Sequence, residues 1–197
     1  RQVNDAAARA GEDPAGSKEE IRAMSRGFAR PLVLLAFASA VGAATPASAQ
    51  VAFDTLFAGL DAGCTRNPVF QAWQDGLVAR HVPANGMEAT PVDLGAVATG
   101  IGKSRGVDKG EYVEVTVPLT GTFGGVPVRR LVFSFGKENG IYGYALEFAA
   151  TREIVERAFA EKVRRSEASI PKDEEGMGGS TGLDFDGRVA LWCDFSN

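Results

Sequence analysis

The sequence predicts one α+β domain in residues 50–197. An antiparallel β-sheet, made of a meander plus a C-terminal hairpin, has two N-terminal helices and one later helix packed on one face. Apolar residues recur at helical spacing before residue 80 and again between residues 151 and 165, whereas they alternate with polar residues between residues 112 and 148. The sequence shows no internal repeat and no second linker, so one layer of strands and one layer of helices account for the domain.

Two short helices are predicted at the start of the domain. The apolar stripe of the first precedes a break at Gly63 and contains Phe53, Leu56, Phe57 and Leu60. Asn67 followed by Pro68 is a typical N-cap with proline at the first helical position, and it starts the second helix. The second helix ends before Pro83, and its buried stripe contains Phe70, Trp73 and Leu77.

Three strands follow as a predicted antiparallel meander. Gly124-Gly125 marks the first turn, and Asn139-Gly140 is the pair that type I′ hairpins prefer. The first two strands alternate around the apolar positions Val113, Val115, Val117, Leu119, Leu131, Phe133 and Phe135. The third strand runs from Ile141 to Phe148 and has on one face Tyr142, Tyr144, Leu146 and Phe148.

A third helix and a hairpin complete the predicted domain. Thr151 caps a helix that runs to about Arg165, with an apolar face of Ile154, Val155, Ala158, Phe159 and Val163. A stretch rich in glycine, serine and acidic residues follows at 166–180. The segments 183–185 and 188–195 then form a hairpin around Asp186-Gly187.

The first 49 residues are predicted to lie outside the domain. Residues 24–49 combine two arginines, a short apolar run and an Ala-Ser-Ala site, which together are typical of a secretory signal peptide cleaved after Ala49. The apolar run is shorter than the roughly 20 residues that span a bilayer, so no stable membrane anchor is expected after cleavage; an uncleaved anchor is the alternative. Residues 1–23 are interpreted as translation upstream of the true start at Met24, or as a disordered segment. The alanine-rich signal indicates a bacterial protein that is periplasmic or secreted.

Composition and charge exclude several classes of function. Residues 50–197 carry 15 Lys and Arg against 20 Asp and Glu, a net charge of −5, so a nucleic-acid binder with a basic face is not expected. One histidine and two cysteines are too few for a closed zinc site. Asp184 and Asp186 resemble part of a calcium loop, but the remaining ligands are missing and an Asp-Gly turn explains them. No cofactor and no metal are therefore expected.

The two cysteines, Cys64 and Cys193, are expected to form a disulfide. Export places them in an oxidising compartment, where an even pair usually bridges. The bond would tie the last strand to the junction of the first two helices. A catalytic thiol is the alternative, although neither cysteine lies in a Cys-x-x-Cys motif.

No catalytic residues are predicted, and the chain is not expected to be an enzyme. His81 is the only histidine and has no triad motif around it, so we expect it to interact with the C-terminal end of its helix as an imidazolium. Glu111, Glu114 and Glu147 could in principle supply a carboxylate pair for glycoside hydrolysis. Their alternating positions on strands instead indicate solvent-facing side chains.

Two candidate binding sites remain. The loop 166–182 is the longest stretch without apolar periodicity, and it has an acidic tip with an adjoining apolar side chain: Asp173, Glu174, Glu175 and Met177. A mobile insertion without function is the alternative for this loop. Tyr142 and Tyr144 form the second candidate if helices leave their face uncovered, with core packing as the alternative.

These observations predict a small exported binding protein of the bacterial envelope. The first hypothesis is an inhibitor or immunity-type protein that occludes a protein partner through the acidic loop. The second is a module that binds a small ligand or an envelope glycan on the sheet face that carries Tyr142 and Tyr144. Deletion of residues 172–178 distinguishes them, because it abolishes binding only under the first hypothesis.

Overall fold

The structure is a computed structural model that describes residues 50–83, 86, 88, 90–138, 140–172 and 178–196. Its sheet has six strands, and all neighbouring strands are antiparallel. In chain order the strands are β1 (Arg105–Asp108), β2 (Tyr112–Phe123), β3 (Val126–Gly136), β4 (Tyr142–Phe148), β5 (Ser180–Asp184) and β6 (Ala190–Asp194). Their order across the sheet is β1-β2-β3-β4-β6-β5, so the meander and the C-terminal hairpin form one sheet.

In the part of the chain that the structure describes, two α-helices and a six-residue 3₁₀ helix accompany the sheet. Helix α1 (Pro68–His81) begins as the sequence predicts, because the Asn67 side chain accepts a hydrogen bond of 2.9 Å from the Phe70 amide. Helix α2 (Arg152–Ser169) follows β4, and a short 3₁₀ helix spans Gly95–Gly100. The α+β single-domain class is thereby confirmed.

The first predicted helix is a series of turns instead. The backbone of Gly59 has a φ of +99°, which an α-helix cannot accommodate, and the Thr65 amide donates back to the Gly59 carbonyl over 3.0 Å. Phe53, Phe57 and Leu60 are nevertheless fully buried. The apolar spacing therefore predicted the buried face correctly and the backbone conformation incorrectly.

The hydrophobic core lies on one side of the sheet, between the strands and the helices. Phe70 of α1 packs edge-on against Tyr144, and Phe159 of α2 packs against Phe148. The predicted disulfide between Cys64 and Cys193 is present, with 5.9 Å between the Cα atoms, and both cysteines are buried. It joins β6 to the segment just before α1.

Two features of the sheet differ from the sequence prediction. Strand β1 was not predicted, because all four of its residues are exposed and carry no apolar alternation. The C-terminal hairpin lacks a two-residue Asp-Gly turn: Asp184 pairs with Ala190, and residues 185–189 form the connection. The Asp184 carboxylate accepts the Asp186 amide there over 2.9 Å, which favours a longer loop.

Candidate functional site

The two faces of the sheet have different surroundings. In β2, buried residues that point to the helices alternate with half-buried ones that point away. The aromatic contacts of α1 and α2 run to the buried set. We call the other side the open face; by strand register it carries mainly polar and small residues, among them Glu114, Thr116, Arg130, Val132, Ser134, Gly143, Ala145, Glu147, Gly182 and Trp192.

A groove with a volume of about 620 Å³ lies on the open face. The middle strands β3 and β4 contribute small residues to it, because Ser134 faces Gly143 in the register. Larger side chains border these residues from β2 and from the β5–β6 hairpin: Tyr112, Glu114, Asp184, Arg188 and Trp192. The volume falls in the range of small-molecule sites, about 300–1,000 Å³.

Trp192 is the aromatic group of this groove, and it lies across a glycine. Gly182 is its partner in β5, and a Cβ atom added to Gly182 would come within 2.7 Å of the indole ring. On the other side its register partner is Ala145. The indole N–H donates no hydrogen bond to the part of the chain that the structure describes, and Trp192 is only half-buried. Small neighbours thus leave the indole as an accessible aromatic surface.

A buried carboxylate lies further along the open face. The Glu147 side chain is 1% exposed, and its two oxygens accept hydrogen bonds of 2.8–3.0 Å from Arg129 and Arg130. A bulge in β3 allows both arginines to reach the same carboxylate. The register shifts between Val128 and Arg130, so the two consecutive arginines both lie away from the core. Burial alone would raise the pKa of Glu147, but the hydrogen bonds from Arg130 and Arg129 outweigh it and lower that pKa below its ordinary value.

A second ion pair borders the groove at the hairpin. Arg188 Nε donates to Asp184 Oδ2 over 2.6 Å. This hydrogen bond, with a second from the Asp186 amide, lowers the pKa of the Asp184 carboxyl. A further cavity of about 240 Å³ adjoins here and shares Glu114, Val132 and Arg188 with the first. The groove therefore continues from Trp192 towards Arg130.

The tyrosines that the sequence nominated point to the helix-covered face. Tyr144 is 3% exposed, and its hydroxyl donates to the Cys64 carbonyl over 3.0 Å. Burial raises the pKa of this phenol. The Tyr142 hydroxyl donates to Gln74 Oε1 and accepts from Arg66, so it too has protein partners. Tyr144 has almost no surface left for a ligand, and its core packing explains why.

The other nominated residues, Asp173, Glu174, Glu175 and Met177, lie outside the described residues. Their role in binding stays a prediction.

His81 has a different partner from the one expected. Its Nε2 lies 2.9 Å from the Ser104 hydroxyl, the separation of a nucleophile and a general base. Burial, together with the charge of Arg80, lowers the pKa of His81, which favours neutral imidazole over the expected imidazolium. Nδ1 has no hydrogen-bond partner among the described residues, so no third group orients the ring. The pair lies outside both cavities of the open face.

The geometry also bears on carboxylate and metal chemistry. Both oxygens of Glu147 accept hydrogen bonds from arginine, which leaves this side chain unsuited to be a general acid.

Within the described ranges, no group of three or more His, Cys, Asp or Glu side chains is placed to hold a metal ion. The helices described here include none with the length and apolar character needed to cross a membrane.

Comparisons with known proteins assign no relative to this chain: no family model matches it, and neither the curated proteins nor the solved structures contain a significant match.

Trp192 is the main residue of this site that the sequence interpretation missed. The pattern of the last strand places Leu191 and Cys193 on the buried face, so alternation alone puts Trp192 on the opposite face. A large aromatic residue at an outward position of the strand was the signal.

Proposed function

We propose that this chain is a non-enzymatic binding protein of the bacterial envelope that holds a small ligand of the glycan class on the open face of its sheet. The observation that carries the proposal is the accessible indole of Trp192 in a groove of about 620 Å³. Sugar rings present a C–H face that stacks on aromatic rings, and hydroxyl groups that need nearby donors and acceptors. Arg188, Asp184 and Glu114 supply both kinds of group at the border of the groove.

Export of the protein is part of the same proposal. The buried disulfide supports it, because such bonds persist in oxidising compartments. The signal-peptide pattern of residues 24–49 supports it from the sequence.

An inhibitor or immunity-type role, in which the chain occludes a protein partner, is the second candidate. One observation favours it: Val107 of the edge strand β1 is 37% exposed and pairs with Glu114, so the open face extends beyond the groove with an apolar side chain. A protein interface needs about 800 Å² from each partner, and a wider face meets this requirement better than a groove does.

Co-sedimentation with purified peptidoglycan sacculi tests the proposal. The full chain should sediment with the glycan, and so should a variant that lacks residues 172–178. Trp192→Ala should stay in the supernatant, while Tyr142→Phe, a change on the covered face, should sediment normally. If the deletion abolished sedimentation and Trp192→Ala did not, the acidic loop would be the binding element and the open-face proposal would be wrong.

A further inference from the structure

The cavity beside Trp192 and the cavity beside Arg130 form one continuous depression. Glu114, Val132 and Arg188 line both of them, and no strand separates them. By register, Trp192 pairs with Ala145 and Ala145 with Val132, which lies two residues from Arg130 on β3. With strands about 4.8 Å apart and a rise of about 3.4 Å per residue, the Cα atoms of Trp192 and Arg130 are roughly 12 Å apart. The depression is therefore long enough to hold more than one sugar ring.

Both arginines that line this depression are paired with carboxylates, and the lining also includes the carboxylates of Glu114, Asp186 and Asp194. Asp184 pairs with Arg188, and Glu147 with Arg129 and Arg130, all at 2.6–2.8 Å. An anionic ligand group would have to compete with these ion pairs and would be repelled by the other carboxylates. Hydroxyl and amide groups do not have to break the ion pairs, because a paired guanidinium still has N–H groups to donate and a paired carboxylate still has lone pairs to accept. The depression therefore fits a polar ligand without negative charge.

The two cavities differ in chemistry, so each suits a different part of the ligand. The larger contains the indole, on which the C–H face of one ring can lie. The smaller, about 240 Å³, contains Thr116, Arg130 and Glu147 and no aromatic side chain, so it suits hydrogen bonding to a second unit.

We infer that the depression binds a chain of at least two sugar units without negative charge, one stacked on Trp192 and the next between Glu114 and Arg130. This inference rests on the proposed function and adds the charge and the minimum length of the ligand. It follows that affinity rises sharply from one unit to two. It also follows that an anionic chain binds more weakly than a neutral one.

Isothermal titration calorimetry of the full chain tests the inference with N-acetylglucosamine, its neutral β-1,4-linked dimer and tetramer, the deacetylated cationic tetramer, and an anionic tetragalacturonate. We expect the neutral dimer to bind about tenfold or more tightly than the monomer. We expect the neutral and the cationic tetramer each to bind more tightly than the anionic chain. Thr116→Tyr fills the smaller cavity and should remove the gain from monomer to dimer, whereas Thr120→Tyr on the same strand, outside both cavities, should keep it.

The outcomes separate the inference from the proposed function. Preferred binding of the anionic chain, or equal affinity for monomer and dimer, would overturn the inference and leave a glycan-binding open face in place. Absence of binding to every sugar, together with sacculus sedimentation that ignores Trp192→Ala, would overturn both.

Discussion

Removal of the disulfide between Cys64 and Cys193 should cost this domain a large part of its stability. The bond closes a loop over a sequence separation of 129 residues and joins β6 to the segment before α1. The perturbation is the double substitution Cys64→Ala and Cys193→Ala. It leaves the backbone carbonyl of Cys64 free to keep its hydrogen bond from Tyr144.

The magnitude follows from the chain entropy of the unfolded state. A closed loop of about 130 residues lowers that entropy by about 17 cal/mol/K, which corresponds to about 5 kcal/mol at 25 °C. Strain and residual structure reduce measured values, so a loss of about 3–5 kcal/mol is expected. Domains of this size unfold with a free energy of about 5–15 kcal/mol, so the bond accounts for about a fifth or more of the total.

Urea unfolding followed by far-UV circular dichroism measures this loss. The slope of the free energy against urea should also rise in the variant, because its unfolded chain exposes more surface. The wild-type chain unfolded and refolded under reducing conditions is the matched control, since it keeps both sulfur atoms in the core. A loss below about 1 kcal/mol in both samples would show that the long loop does not control the entropy of the unfolded state.

Two further predictions concern the open face. Glu147→Gln should destabilise the domain by about 2–4 kcal/mol, because the buried carboxylate loses its charge-assisted hydrogen bonds from the half-exposed Arg129 and Arg130. Since the pKa of Glu147 is lowered in the folded state, its stabilisation is fully present above the ordinary glutamate pKa of about 4.3 and is lost as pH falls through the lower folded value. Urea unfolding across the acid range measures the difference in unfolding free energy between wild type and variant. A difference that did not shrink with falling pH would contradict this reasoning. Gly182→Ala should displace the indole of Trp192, whose ring lies 2.7 Å from the position of the added methyl group. We expect glycan binding to weaken by about tenfold or more while the unfolding free energy changes by less than about 2 kcal/mol, and unchanged binding would contradict the stacking role of Trp192.

The elements with regular periodicity could be predicted from the sequence. Strands β2, β3 and β4 follow the alternation of apolar residues, and α1 begins at the Asn67 cap and ends before Pro83 as its sequence indicates. The disulfide was predictable because two cysteines allow only one pairing within the chain and the sequence predicts export. These features depend on local spacing or on simple counting.

Features that depend on long-range contacts could not be predicted in the same way. The pairing of β6 with β4 brings Trp192 beside Ala145, and nothing local in either segment specifies that neighbour. The turns that replace the first helix depend on the positive φ of Gly59, which apolar spacing does not show.

The β3 bulge is an intermediate case. The buried residues of this strand change their spacing from two to three between Val128 and Leu131, which leaves Arg129 and Arg130 both outward. A search for such shifts in alternation would have found the two arginines. It would not have found Glu147 as their shared partner, because that contact is set by the register between β3 and β4.

The indole N–H resonances report most directly on the claim that the open face binds a glycan. The chain has two tryptophans, so a ¹H–¹⁵N correlation spectrum should contain two indole cross-peaks, which Trp192→Phe assigns. Trp73 packs against Phe70 and Phe133 on the covered face, whereas the Trp192 N–H has no partner among the described residues. Titration with the neutral N-acetylglucosamine tetramer should shift the Trp192 cross-peak saturably and leave that of Trp73 in place. If sacculi bound the protein while the Trp192 cross-peak did not respond to any sugar, the ligand would lie elsewhere and the account of the open face would be wrong.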